Sequence, residues 1–503
     1  MGFRFRDVLT SWAVPSLADL LLAALVVRPY LLPGGLDELL SDASVGMHIR
    51  TGDLIRSAGS LPHTDPFSFA LPGKEWFAWE WLTELSLSLL HSWFGLAAIA
   101  LAAVVLMTAT SALVLRNSLR RGESAFLGLL LVMVGFQTSM NHALARPHLI
   151  TWLFLALSVT IVERERRGPW RGFWLLIPLA ALWANLHGGF AILPVYLAVV
   201  CTGLGLEAIW NRTSWRGVWR MVACGLAVGA ATVVNPYGIG LHQHLIEFVS
   251  SPWAIQMIEE YHPPSPSLGE PFYWFAALGA LAGLTAVSAL RRRGVSDALV
   301  CLFFLISACK SARHIPLFVI AVTPIVAGEL RWLWDVARRH GGRRSLVAIV
   351  HDMDLGLRPQ FLRHSSWLPS LFLLALAFRG PLGLPSTFPE KSFPVEMVER
   401  NSATLQAGRV FSTDAWGDYL IYSGYPRQRV FIDGLQDYFG PALGNDYLEM
   451  LSGGPRTEEL FRHWKFDTAL VPVKQPLSRW LKARPEWRVV AETPLAVLLV
   501  KEH

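Results

Sequence analysis

Apolar residues run in long stretches separated by short polar connections through the first 383 positions of this 503-residue chain. About 20 consecutive, mostly apolar residues are enough to cross a bilayer as a helix. Runs of this kind lie near 14–32, 95–115, 124–140, 147–163, 172–186, 189–210, 218–235, 271–290, 296–310, 314–333 and 366–381, which predicts about eleven spans. Near residue 384 the pattern changes. "RVFSTDAWGDYLIYSGYPRQRVFIDG" reads as short β-prone runs broken by turns, "TEELFRHWKF" and "PLSRWLKAR" read as helices, and "TALVPV", "WRVVAE" and "AVLLVK" as strands. The chain is therefore expected to be a polytopic α-helical membrane protein with a C-terminal α/β domain over 384–503, long enough for a core of its own.

The polar connections are of two kinds, and they alternate. One kind holds arginine clusters: Arg116, Arg120 and Arg121; Arg164, Arg166 and Arg167; Arg212, Arg216 and Arg220; Arg291 to Arg293; Arg338, Arg339, Arg343 and Arg344. The positive-inside rule puts these in the cytoplasm with Arg4, Arg6 and the N-terminus, so the C-terminal domain is expected outside. The other kind is Ser41–Phe69, "NHALARPH", "ANLHGG", "NPYGIGLHQH" and "KSARHIP", which together hold eight of the fifteen histidines. These residues predict a site on the outer face built from loops distant in sequence.

Composition agrees with a membrane body: 53% hydrophobic, 16% charged, and a mean hydropathy of +0.39. The net charge of +6 lies in the short arginine clusters, so no nucleic-acid partner is expected. Cys201, Cys224, Cys301 and Cys309 lie in or beside apolar runs without metal-ligand spacing. The first apolar run has no small-residue cleavage site before it and reads as an uncleaved span. Charges within spans are few and repeats absent, which gives a transporter little support.

Between spans one and two, Val45, Ile49 and Ile55 form a helical stripe from Ala43 to Ser57, predicting an amphipathic helix at the membrane interface. Asp42 reads either as the N-cap of that helix or as a functional carboxylate. Asp65, before Pro66, reads as an Asx-turn residue. Arg146 and Arg313, in "RPH" and "RHIP", sit beside proline at span ends, where isolated arginines are costly unless they face a cavity or a partner.

This arrangement resembles the GT-C superfamily of integral-membrane glycosyltransferases, whose usual catalytic position is an acidic residue in the first outer loop. It is more closely similar to a group of bacterial multispanning proteins placed near that superfamily. Their first-loop pattern is matched by Asp42, His48, Gly52, Pro62, Asp65, Phe67, Ser68, Trp76, Glu80, Trp81 and Leu82, with Met47 where the group prefers Trp. Further matches are Arg146-Pro147, Asn185-x-His187-Gly188-Gly189, Asn235-Pro236-Tyr237-Gly238, Arg313-His314, Trp416-Gly417, Tyr419 and Phe431-Ile432-Asp433-Gly434, with Asp437 nearby. The chain departs from the group at His148 and at Leu435-Gln436.

The resemblance implies a GT-C-like transmembrane domain over 1–383, with interfacial helices in a first outer loop over 33–94, in a bacterial inner membrane. It implies transfer of a sugar from a polyprenyl-phosphate donor to an acceptor on the periplasmic face. Asp42 takes the catalytic position, and His48, Arg146, His187, Arg313 and His314 bind substrate. Asp53, Asp65, Glu80, Asn185, Asn235 and Asp433 are supporting positions. A divalent metal is left open, since Asp37-Glu38 is an adjacent acidic pair and no DxD follows span one. The alternative is a non-catalytic scaffold or accessory subunit that keeps a GT-C-like body among membrane lipids and binds a protein partner through its C-terminal domain.

Overall fold

The computed structural model describes residues 13–14, 16–30, 34–122, 124–340, 345–363, 367–377 and 383–502. Arg4, Arg6, Arg343 and Arg344 lie outside the described residues, as does the side chain of Asp437. The main helices of the body are α1 (Leu17–Val27), α2 (Ser44–Ala58), α3 (Trp81–Arg121), α4 (Ala125–Thr138), α5 (His148–Arg166), α6 (Leu176–Leu186), α7 (Ile192–Asn211), α8 (Arg216–Ala231), α9 (Glu270–Arg291), α10 (Val295–Lys310), α11 (Ile315–His340), α12 (Leu346–Arg363) and α13 (Trp367–Ala377), with shorter helices at Gly35–Glu38, Gly240–Ser250 and Pro252–Met257. Every apolar run named above contains a helix. Among the described residues four helices, counted with their leading turns, are long and apolar enough to cross a membrane: Trp81–Arg121, Gly188–Asn211, Glu270–Arg291 and Ala312–His340. Ala125–Thr138 and Arg171–Leu186 are apolar but shorter.

The amphipathic stripe of α2 does not face lipid. Val45, Met47, Ile49 and Ile55 are buried, because α2 is sandwiched between α3 and a helix of the C-terminal region. Glycine makes this close packing possible. A Cβ on Gly52 would stand 2.0 Å from the Glu84 carbonyl oxygen, and one on Gly46 would stand 2.7 Å from Tyr422 Cβ. The expectation of an interfacial helix fails here because an apolar stripe marks a face that must be covered and does not say by what. Helix α3 bends at Gly95, whose φ of +70° is accessible to glycine without strain. Its first half follows α2, and its second half enters the bundle beside α5 and α11.

Helix directions separate two chemistries. Helix α5 runs from His148, two residues after Arg146, to Arg166, and its 19 residues span about 28 Å at 1.5 Å per residue. At its far end Arg121 and Arg166 each meet Asp297 at 2.7 Å, and Arg121 Nε donates to Glu163 at 2.8 Å. This network ties the ends of α3 and α5 to the start of α10. Helix α12 was not anticipated as a separate element. Its buried Asp354 accepts from Ser124 Oγ and from the amides of Ala125 and Phe126, capping the start of α4.

The C-terminal region is built on a four-stranded sheet in the order β1 (Val410–Ser412), β2 (Thr468–Pro472), β4 (Ala496–Lys501), β3 (Trp487–Glu492). The β1–β2 pair is parallel and the others antiparallel. Helices α14 (Asp414–Gly424), α15 (Gln436–Ser452), α16 (Thr457–Trp464) and α17 (Pro476–Lys482) complete it. The β-prone reading of "TDAWGDYLIYSG" is corrected: this segment is α14. Trp416, Tyr419 and Leu420 are buried at the i, i+3, i+4 spacing of a helix face, which overrides the β propensity of the aromatic and branched residues. The first outer loop also enters this region. Phe67 and Phe69 exchange backbone hydrogen bonds with Val430 at 3.0 and 2.9 Å, and Phe69 packs with Phe431 and Phe466. The α/β unit therefore completes part of its core with residues from far earlier in the chain.

Candidate active site

The turns at the Arg146 end of α5 bring together side chains from five connections. The organising group is Arg146. Its Nη1 lies 3.3 Å from Asp42 Oδ2 and 2.7 Å from Glu260 Oε1, and Arg313 Nη1 lies 3.7 Å from the other Glu260 oxygen. Asp42, Arg146, Glu260 and Arg313 thus form a line of alternating charge. Arg313 also sits over the Tyr261 ring, 5.3 Å from its centroid. Burial alone would raise the Asp42 carboxyl, but Arg146 and the hydrogen bond from the Ser44 amide outweigh it and hold it below its ordinary value. Glu260, also opposed by burial, is drawn down to about 2 by Arg146 and Arg313.

A second cluster stands beside the first. His48 Nδ1 is 3.2 Å from Glu84 Oε1, and its Nε2 is 3.7 Å from Glu80 Oε2. Burial would lower the His48 pKa, but the hydrogen bond to Glu84 and the charges of Glu80 and Glu84 raise it. Burial raises Glu80, with Glu84 adding to it, despite the pull of His48, Arg313 and Arg146. His187 behaves oppositely: burial first, then Arg313 and the neighbouring His148 and His48, push it well down, so it is neutral. Its Nδ1 accepts from the Gly189 amide at 2.8 Å, which leaves the proton on Nε2 to face Glu80 Oε1 at 3.5 Å. Thr151 fixes the ring, 2.8 Å from Nδ1, and is itself held by Trp183 Nε1 at 3.0 Å.

The structure thus brings Asp42, His48, Glu80, Arg146, His187 and Arg313 into one electrostatic neighbourhood. Other predicted positions do different work. His314 Nδ1 lies 2.8 Å from Ser307 Oγ and closes its own turn after α10. Asp53 is held by Arg50 at 3.0 Å and Ser88 at 2.6 Å between α2 and α3. Asp65 accepts from the amides of Phe67 and Ser68, an Asx turn. Asn185 accepts from Trp81 Nε1 at 2.9 Å and donates to the Val234 carbonyl, stitching two connections. Asn235 accepts from the Tyr237 amide and donates to the Gly238 carbonyl, shaping its own turn. Asp433 is buried and accepts from the Leu435 amide at 2.9 Å.

Three acidic groups were not anticipated. Glu260 lies in "MIEEYHPP", a connection where the acidic pair was the available signal. Glu84 is four residues after Glu80, on the same helix face. Asp418 was hidden by the β-prone reading of what is α14. Burial, reinforced by Asp433 and Asp42, holds the Asp418 carboxyl well above its ordinary value. Its Oδ1 accepts from the Gly434 amide at 3.3 Å. The two tail motifs, Trp416 to Tyr419 and Phe431 to Gly434, thus meet in space.

Metal binding was left open by the sequence. Among the described residues no three His, Cys, Asp or Glu side chains are grouped to hold a metal ion. Asp42 meets Arg146 through one oxygen and the Ser44 amide, at 2.8 Å, through the other. These partners do not fit a cation-ligating role in this arrangement. The four cysteines are unpaired.

The ion-pair line has a pH signature. Because the Glu260 pKa lies below the ordinary 4.5, its contribution to stability is complete above about 4.5 and lost as pH falls through about 2. Thermal unfolding of wild type and Glu260→Gln in detergent should differ by a constant amount near neutrality and converge at the acid end. A gap unchanged to pH 2 would assign the difference to packing.

No protein-family model and no curated protein matches the chain. Solved structures do. The archaeal oligosaccharyltransferase AglB from Archaeoglobus fulgidus, in complex with an inhibitory peptide and a dolichol-phosphate, superposes with a TM-score of 0.57 at 10% identity, over 91% of this chain and 69% of that one. The apo form of the Archaeoglobus fulgidus oligosaccharyltransferase gives 0.53 at 12% identity with the same coverage. The arabinofuranosyltransferase AftD from Mycobacteria gives 0.46 at 15% identity, over all of this chain and 40% of that one, a looser likeness on which nothing rests. At these identities the likeness is one of fold. The chain has the fold of the GT-C membrane glycosyltransferases.

Proposed function

We propose that this protein is a membrane glycosyltransferase that moves a sugar from a polyprenyl-phosphate donor to an acceptor hydroxyl on the outer face of a bacterial inner membrane. The observation that carries the reading is the line Asp42–Arg146–Glu260–Arg313, in which two arginines stand beside a first-loop carboxylate. A fold shared with an oligosaccharyltransferase solved with dolichol-phosphate supports a lipid-linked phosphate as the ligand. The eleven-span topology, with the N-terminus cytoplasmic and the 384–503 domain periplasmic, belongs to the same proposal.

In the proposed reaction the acceptor oxygen bonds to the anomeric carbon as the bond from that carbon to the phosphate oxygen breaks. The lipid phosphate leaves with the electron pair, and Asp42 takes the acceptor proton. Paired with Arg146, Asp42 is a weak base. A lipid phosphate that draws Arg146 and Arg313 toward itself removes that restraint, so Asp42 gains basicity as the leaving group gains cations. His48 and His187, held through Glu80, supply hydrogen-bond donors beside the phosphate.

A test is transfer of labelled sugar from a polyprenyl-phosphate pool by the purified protein in liposomes. Topology is tested separately. Periplasmic reporter fusions at Gly383 and Gly434 should be active, and those at Arg167 or Arg293 silent; the reverse pattern would overturn the orientation and the proposed site with it. The second reading, an accessory subunit, draws on the Ser44 amide bonded to Asp42 and on the tight seating of α2 against α14. Those contacts suit a carboxylate that holds the turn before α2, whose N-cap is Ala43, and a tail that docks a protein partner.

A further inference from the structure

At the opposite end of the bundle, where α3 and α5 finish, the structure contains a cavity of about 350 Å³. That volume is within the range of small-ligand sites, roughly 300–1,000 Å³. Three guanidinium groups line it: Arg120 from the last turn of α3, and Arg164 and Arg167 from one face at the end of α5. Among the described residues none of the three has a carboxylate partner. Arg167 donates to the Arg120 carbonyl at 3.1 Å, and Arg164 reaches the Gly168 carbonyl at 3.5 Å and stands 6.0 Å from the centroid of the Trp170 ring.

The described acids nearby are already engaged. Glu163, which also lines the cavity, bonds Arg121 at 2.8 Å and Arg166 at 3.1 Å. Asp297 is held by the same two arginines, so that network carries no net charge. Glu165 bonds Arg220 at 2.6 Å and the Trp170 amide at 2.7 Å. Among the described residues the cavity therefore has a surplus of three positive charges. Its remaining wall is not that of a site for a freely soluble anion. Ile161, on α5, and Trp170, in the turn that follows it, supply apolar surface, and the Thr160 hydroxyl is already used by Asn117 and the Ala156 carbonyl.

We propose that this cavity binds the phosphate of an anionic phospholipid, with the phosphate among Arg120, Arg164 and Arg167 and the start of the acyl chains along Ile161 and Trp170. Arginine forks suit phosphate oxygens, and tryptophan suits the depth at which headgroup meets hydrocarbon. The site lies at the far end of α5 from the candidate active site and does not depend on its chemistry.

The experiment is competition between phosphatidylglycerol and phosphatidylcholine of identical acyl chains for the purified full-length protein, with retained lipid counted by native mass spectrometry. Wild type should retain phosphatidylglycerol preferentially. Arg164→Gln/Arg167→Gln should weaken that retention by about thirtyfold, two arginines at an anionic headgroup. Equal retention of the two lipids by wild type would overturn the proposal. So would a folded double variant with undiminished preference. Displacement of the lipid by a large excess of inorganic phosphate would reassign the cavity to a soluble anion. Should the glutamine pair prove unstable, the wild-type competition still decides, and Arg164→Lys/Arg167→Lys, which keeps the charge, should retain most of the preference.

Discussion

Replacing Asp42 by asparagine should lower sugar transfer by about 10²–10⁴-fold, the range for a lost general base, while leaving the protein folded. The substitution is informative because Asp42 makes two different contacts. Its Oδ1 accepts from the Ser44 amide at 2.8 Å, and an asparagine oxygen preserves that bond, since Asn caps helices about as well as Asp. Its Oδ2 faces Arg146 at 3.3 Å, and there the charge is lost. A cap would hardly notice the change, whereas a base would be disabled. The measurement is transfer from a labelled polyprenyl-phosphate pool in membranes, with protein abundance checked alongside. Full transfer by a well-expressed Asp42→Asn protein would remove Asp42 from the mechanism. Absence of transfer by the wild type, across a broad panel of donors and acceptors, would instead favour the accessory-subunit reading.

The second large effect is expected from Arg146→Met. Methionine fills much of the arginine's volume but leaves Asp42 without its cation and Glu260 with Arg313 alone, 3.7 Å away. Removing one partner of a buried pair costs about 3–5 kcal/mol. The side chains here keep about a quarter of their exposure, so solvent screening reduces the expectation to about 2–4 kcal/mol. The loss should shrink at acid pH, because without Arg146 both carboxyls rise and protonate sooner. Thermal unfolding in detergent between neutral pH and about pH 4 would show this, and a deficit independent of pH would mean that packing of the arginine stem, not its charge, is what matters.

Much of the architecture was legible because its cause is local. Apolar runs form helices wherever they occur, since a backbone withdrawn from water must satisfy its own hydrogen bonds. The strands Thr468–Pro472, Trp487–Glu492 and Ala496–Lys501 were legible for a similar reason: each is a short run rich in branched residues between turn signals. Where two local signals competed, the sequence misled. In Asp414–Gly424 aromatic and branched residues suggested strand, whereas the segment folds as a helix buried from Trp416 to Ile421. The stripe on α2 was real, but whether lipid or protein covers such a face depends on where Tyr422 and Glu84 come to lie.

The candidate site divides in the same way. Sequence alone identified Asp42, His48, Arg146, His187 and Arg313 as polar residues in connections of one kind, because charge beside a span is costly unless it has a partner. It could not name the partner. Glu260 joins Arg146 to Arg313 only because the segment after Pro252–Met257 folds back over two other connections, a long-range event with no local signature. Asp53, Asp65, Asn185 and Asn235 show the converse: residue types suited to chemistry that the tertiary structure uses for turns and for joining helices. The sequence by itself determined where the long apolar helices lie and which connections carry ionisable groups, since both follow from the transfer of short stretches out of water. Which carboxylate meets which arginine was decided by tertiary structure alone, because an ion pair depends on a few ångströms between groups that the chain separates by more than a hundred residues.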